Sequence, residues 1–233
     1  MNVIIAAATG YSDAELAPFL KSAKRYVDAE VILIQLEELP RHITMQRNFI
    51  ALELLEKNHS RYEKVLLSDS RDVVFQGDPF EFIDGKSMTG LEEITIGASY
   101  ANTRWLQDIY GKDMARDLAG KRVTCSGVVG GSVKRVKEYL GAMCHEIDQC
   151  PSRYQMSPNF DQAMHNVVVY TKQPDVDLTS NADGVIATIT FEQEGNIGWA
   201  KDGIYVQGVK PAILHQYDRW PRIKRRFQTE YSQ

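Results

Sequence analysis

The sequence predicts an α/β fold, a single domain in which a mostly parallel central sheet is flanked by helices. Three observations lead there. The opening third alternates apolar strand-like runs with helix-spaced segments in the order β-α-β-α-β, a pattern that buries parallel strands beneath crossover helices. The third of these strands runs straight into two carboxylates, as strands of open α/β sheets do where they end at a crevice. Finally, 233 residues with 43% hydrophobic content suffice for one well-buried core, and no internal repeat or low-complexity linker divides the chain.

Residues 3–7 form the first strand. It gives way to Thr9-Gly10-Tyr11-Ser12, where Ser12 is placed to cap a helix over 13–26. A second strand covers 30–35. Residues 44–57 carry Met45, Phe49, Leu52 and Leu55 near helical spacing and form the second helix, which leads into a strand at 65–67. Asp69 and Asp72 interrupt the apolar run before it resumes at Val73-Val74-Phe75. Gly77-Asp78-Pro79-Phe80 reads as a turn, and 94–98 as an alternating strand. A helix over 102–118, a glycine-rich strand and turn over 123–131, and a helix over 133–147 follow. Ser132 caps the last of these, and Val136, Leu140 and Cys144 form its apolar stripe. The final third reads as short strands at 167–170, 185–190, 203–206 and 212–215 between polar turns, and ends in a basic helix.

A net charge of −4 leaves no global positive field to favour nucleic acid, although Arg219, Arg222, Lys224, Arg225 and Arg226 make a local one. That run suits either a solvated helix face or an anion clamp. Cys125, Cys144 and Cys150 are odd in number and lack C-x-x-C spacing, which fits reduced thiols in a cytoplasmic protein and argues against zinc. The first eight residues lack a basic flank and are too short an apolar run to span a bilayer. They predict a strand of a soluble protein rather than a signal peptide, with at most peripheral membrane contact.

The chemistry-bearing positions gather at strand ends. Two acids three residues apart at the edge of a core need a cation, hydrogen bonds or solvent, so Asp69 and Asp72 suit an oxygen-ligated metal. The same spacing also fits a turn in which both cap backbone N–H groups and Arg71 pairs with one of them. Thr9, Gly10 and Tyr11 close the first strand, Tyr11 offering a ring to stack on a base, and Arg47 on the second helix can reach the same crevice. Ser126-Gly127 and Gly130-Gly131 let backbone approach a ligand, or form a plain tight turn. Asp161 and Gln162 follow Pro158-Asn159 at a helix start, where capping is the alternative to chemistry. His215, at the end of a late strand, is either a metal ligand or a histidine satisfied by backbone.

Four segments, taken in order, resemble glycosyltransferases of the GT-A fold. They are Val65-Leu66-Leu67-Ser68-Asp69-Ser70-Arg71-Asp72, Cys125-Ser126-Gly127-Val128-Val129-Gly130-Gly131, Phe160-Asp161-Gln162-Ala163-Met164-His165-Asn166, and Ile213-Leu214-His215-Gln216-Tyr217-Asp218-Arg219-Trp220. The resemblance spans nearly the whole chain and implies one Rossmann-like domain, with residues 1–80 as a nucleotide-binding half and 81–233 as an acceptor-binding half. It implies a donor of UDP- or GDP-sugar type, a glycan or other hydroxyl acceptor, and Mn²⁺ or Mg²⁺ held against the donor diphosphate by Asp69, Asp72 and His215. Ser126, Gly127, Asp161 and Gln162 would line the sugar and acceptor region, the last two as catalytic candidates. Thr9, Gly10, Tyr11, Arg47, Arg219 and Lys224 would serve the nucleotide and its phosphates. The sequence departs from the family pattern in one place, because its acids are spaced D-x-x-D rather than D-x-D. This leaves open which acid ligates the metal. A metal-dependent nucleotidyltransferase or phosphohydrolase also uses strand-end acids, though the chain has no G-x-x-x-x-G-K-[ST], and a non-catalytic nucleotide-sugar binder is a third alternative.

Overall fold

The computed structural model describes residues 1–173 and 175–232. The opening alternation forms as expected, with β1 (Asn2–Ala7), α1 (Asp13–Tyr26), β2 (Glu30–Ile34), α2 (Ile43–Lys57) and β3 (Lys64–Asp69) in order. β1 lies between β2 and β3 and runs parallel to both, with Ile5 opposite Ile32 and Leu67. Its consecutive β-branched residues serve two cores, since alternate strand side chains face opposite ways. Ile4 packs with Phe19 and Ala23 of α1, whereas Val3 and Ile5 pack with Met45 and Leu55 of α2. The start of α1 is fixed by Glu15, whose carboxylate accepts from the Ser12 backbone N–H at 2.9 Å and its hydroxyl at 2.8 Å.

β4 (Val73–Phe75) follows the two acids, and Phe75 meets Phe19 with ring centroids 5.5 Å apart. Burial of each ring stabilises the fold by roughly 1.5–3 kcal/mol. After a 3₁₀ turn at Pro79–Phe82 come β5 (Ser87–Thr95), α3 (Tyr100–Asp117), β6 (Arg122–Ser132), α4 (Val133–Gln149), the one-turn α5 (Ser152–Gln155) and α6 (Phe160–Thr171). The remaining elements are β7 (Val176–Thr179), β8 (Ile186–Thr188), β9 (Ile197–Ala200), β10 (Gly203–Val206), β11 (Ile213–His215) and α7 (Pro221–Tyr231).

The large sheet is mixed, with the order β2-β1-β3-β6-β5-β7. Its first half is parallel, but β6 runs antiparallel to both β3 and β5, so the expectation of a mostly parallel sheet describes only part of it. The reversal has a functional consequence, because it brings the middle of β6 alongside the carboxyl end of β3. A second sheet, β4-β11-β8, pairs His215 with Val73 and Thr188. It shares a core with α7 through Val74, Leu214, Ile223 and Phe227.

Four local expectations are corrected. Residues 96–98 form a 3₁₀ turn after β5 rather than the end of a strand, since the Thr95 hydroxyl accepts from the Ala98 N–H. Residues 167–170 belong to α6, not to a strand. This helix is buried on every side from Asp161 to Val169, so Val167-Val168-Val169 lacks the polar face that marks a helix in sequence. Gly130 and Gly131 lie within β6 rather than in a turn, and a Cβ at Gly130 would stand 2.9 Å from the Met88 side chain. The helix expected over 102–118 is interrupted at Gly111, whose φ of 85° is left-handed. Among the described residues, no helix is long and apolar enough to cross a membrane.

Candidate metal centre and cleft

Asp69 ends β3, Asp72 follows one short turn later and His215 ends β11, so pairing of β11 with β4 brings the late histidine to the strand-end acids. One ligand atom from each lies within 4.8 Å of the others, and the three could hold a metal ion. The His215 Nε2 is 3.6 Å from the Asp69 Oδ2 and 3.8 Å from the Asp72 Oδ1. It is buried and has no hydrogen-bond partner. A buried ring nitrogen is rarely left in this state. The separations are too long for hydrogen bonds, yet they suit an intervening cation, because ligand atoms about 2.1 Å from one ion stand roughly 3 to 4 Å from each other. Two carboxylate oxygens and an imidazole form a donor set suited to Mn²⁺ and, less strongly, to Mg²⁺.

Burial and mutual charge shift all three groups. Burial pushes the Asp72 carboxyl above its ordinary range. Burial would also raise Asp69, but the adjacent Arg47 guanidinium and His215 hold it well below. Burial alone would lower His215, yet Cys125, Asp69 and Asp72 together raise it well above the ordinary imidazole value. Cys125, Asp69 and Asp72 thus favour positive charge on the ring against the cost of its burial.

Backbone geometry keeps this cradle open. With Val128 opposite Ser68, the next residue of β6, Gly127, lies against the centre. A Cβ there would fall 2.3 Å from the His215 Cε1 and 2.6 Å from both the Asp69 Oδ2 and the His215 Nε2. Glycine is therefore required by close approach. On the far side of the ring, the His215 Nδ1 is 3.6 Å from the Cys125 Sγ, which also accepts from the Gln216 amide at 3.5 Å. Burial pushes the Cys125 thiol up to about 11, a rise that the neighbouring His215 opposes. Gln216 adopts a left-handed φ of 60°, and its backbone N–H donates to the Asp72 carbonyl at 2.8 Å. Non-glycine residues held this way cost of order 1–3 kcal/mol and gather at functional sites.

The centre sits where two lobes of a cleft meet. Both lobes are lined by Thr44, Arg47, Asp69, Asp72, Asn159 and Arg219. The first lobe, about 260 Å³, adds Thr9, Tyr11, His42 and Arg71. The second, about 330 Å³, adds Glu92, Asn102, Trp105, Ser126, Gly127 and Phe191, among others. Arg71 lies over the Tyr11 ring at 5.6 Å and pairs with Asp218 at 3.4 Å, rather than with the acids that flank it in sequence. Arg219 holds the same Asp218 at 3.1 Å.

Asp161 and Gln162 both reach the second lobe, but each is engaged by the scaffold. Asp161 accepts from the Ser126 hydroxyl at 3.1 Å and from Arg47 at 3.4 Å. The Gln162 amide accepts from the Ser126 N–H at 2.9 Å and donates to the Thr124 carbonyl at 2.6 Å. Arg47 is half-buried and central, bonding Asp69, Asp161 and, at 3.1 Å, the Ser126 carbonyl. Thr9 ties the ends of the first two strands together, its hydroxyl accepting from the Leu36 N–H at 3.1 Å. Gly10, at φ 81°, makes the turn that presents Tyr11, but it is exposed and does not line either lobe. Lys224 stands on the exposed face of α7, also outside both lobes.

Sequence reasoning missed Glu92, Asn102, Trp105 and Phe191, which carry no motif, gave Arg71 only a pairing with one of the two acids, and assigned no role to Gln216. The position of Arg71 between two metal-type acids was a usable signal. Phe191 is an apolar residue in a polar turn, a weaker one. No protein-family model matches the chain, and no curated protein matches it in sequence.

Proposed function

We propose that this protein is a metal-dependent glycosyltransferase with a GT-A-like domain. It would move a sugar from a UDP- or GDP-type donor to a hydroxyl acceptor. The observation that carries the reading is the buried, unpartnered His215 Nε2 facing Asp69 and Asp72, the two acids that line both lobes. The donor nucleotide fits the first lobe, where Tyr11 offers an aromatic face and Arg71 and Arg219 offer guanidinium groups to the phosphates. Asp72 and His215 would hold Mn²⁺ or Mg²⁺ with Asp69 completing the set, and the ion supplies charge compensation as the sugar–phosphate bond breaks. Arg47 keeps its charge against burial because it is flanked by Asp69 and Asp161, and it anchors the Ser126-Gly127 strand beside the reacting groups. Asp161 and Gln162 then act mainly by positioning that strand.

The test is thermal unfolding with UDP or GDP, each with Mn²⁺ or with EDTA. The reading expects the nucleotide to raise the melting temperature only when metal is present, because the diphosphate and the acids otherwise repel each other. Equal stabilisation in EDTA would overturn the metal-bridged model.

A further inference from the structure

The second lobe carries a recognition surface of its own. Asn102 is 6% exposed and Glu92 is 5% exposed, and both line the cavity. The Asn102 Oδ1 is buried without a hydrogen-bond partner, while its amide nitrogen is committed to the Ser99 hydroxyl at 2.9 Å. Glu92 is turned into the lobe by irregular pairing of β5 with β6 between Leu91 and Thr95, the kind of break that re-aims a side chain beside a site. Burial pushes its carboxyl above the ordinary range, and His215, Cys125, Gln216 and Arg219 nearby offset this only in part. Trp105 and the 43%-exposed Phe191 supply aromatic faces in the same lobe.

These groups ask for one kind of ligand. The Asn102 oxygen and the Glu92 carboxylate accept hydrogen bonds, so the complement must be rich in O–H donors. Aromatic faces pack against the apolar C–H face of a ring. Of the two cations lining the lobe, Arg47 is held between Asp69 and Asp161, and Arg219 shares Asp218 with Arg71 and is assigned to the donor phosphates, so Glu92 has no ion-pair partner among the described residues and would repel an added carboxylate. We infer that the second lobe binds a neutral pyranoside, with Asn102 and Glu92 receiving its hydroxyl protons and Trp105 and Phe191 packing on its ring. Sugars bearing a carboxylate are rejected. The inference rests on the glycosyltransferase reading and names the acceptor class for it.

The experiment is ligand-observed NMR on the full chain with Mn²⁺ and UDP or GDP. The probes are methyl glucoside, galactoside and mannoside, with methyl glucuronide as the acidic counterpart. At least one neutral glycoside should bind, at least about 10-fold more tightly than the glucuronide. The exposed-site variant Phe191→Ala should weaken it about 10-fold. Glu92→Gln, which keeps the shape, should narrow the discrimination against the glucuronide. Undiminished binding to Phe191→Ala, or unchanged discrimination in Glu92→Gln, overturns the assignment. If the nucleotide with Mn²⁺ stabilises the protein but no glycoside binds, this inference fails and the proposed function stands. If glycosides bind and no nucleotide does, the lobe is a sugar site and the transferase reading fails instead.

Discussion

Gly127→Ala adds one methyl group where the structure has no room for it. The new carbon would lie 2.3 Å from the His215 Cε1 and 2.6 Å from the Asp69 Oδ2, against an ordinary contact of 3.4 Å or more. Relief requires a displacement of 3.4 − 2.3 = 1.1 Å between the methyl and the ring. The backbone of His215 cannot supply it, being paired on both sides with Val73 and Thr188. The imidazole and the Asp69 carboxylate must therefore rotate away. Metal–ligand distances tolerate about 0.2 Å, so a shift near 1 Å removes at least one ligand. Disturbing merely the groups that support ligands costs about 10- to 100-fold in metal affinity, which sets the lower bound here. Electron paramagnetic resonance of free Mn²⁺ measures the affinity, and circular dichroism confirms the fold. A double-mutant cycle isolates the cause, because once His215→Ala has removed the ring, adding Gly127→Ala should cost little more. A folded Gly127→Ala protein that binds Mn²⁺ within about 2-fold of the parent would show that the ion is not held between Asp69, Asp72 and His215.

Three further outcomes are expected. His215→Ala should raise the Mn²⁺ concentration needed for activity by about 10-fold or more, and an unchanged requirement in a folded variant would remove the histidine from the ligand set. Arg47→Met leaves the buried Asp161 and the partly exposed Asp69 without their cation, and should lower stability in urea by about 3 kcal/mol; a loss below about 1 kcal/mol would show that the bridge is dispensable. His165 is buried between Tyr139 and Thr89, and burial, aided by Arg47, lowers its pKa from 6.5 to about 3. Below about pH 6.5 the unfolded chain takes up a proton that the folded chain refuses. Stability present above that pH is therefore lost as the pH falls toward 3, by up to about 1.4 kcal/mol per unit, and pH-dependent melting of His165→Gln should lack this slope.

How much of this was legible in the sequence depends on how local each feature is. The first three strands, their helices and the two acids at a strand end follow from nearest-neighbour patterns, and they form where expected. His215 could be suspected from the sequence, but its proximity to Asp72 depends on β11 pairing with a strand about 140 residues earlier, which no local pattern encodes. Glu92 was invisible for a similar reason, since an irregular stretch of β5 aims it into the cleft. The valines of α6 misled because a helix buried on all sides lacks the polar face that separates it from a strand. The basic run divides at a turn. Arg219 precedes α7 and lines the cleft, whereas Lys224, one helical turn into α7, points to solvent.

Metal-dependent release of UDP or GDP from a nucleotide-sugar is the most direct test of the proposed function. The protein should be incubated with a panel of UDP- and GDP-sugars, Mn²⁺ and glycan acceptors, alongside a folded Asp72→Ala variant. Turnover of at least one donor is expected from the parent protein, with none in EDTA and none from Asp72→Ala, because a strand-end acid serves the ligand more than the core. Equal turnover in EDTA or by Asp72→Ala would contradict the assignment, as would the absence of turnover with every donor by folded, Mn²⁺-loaded protein.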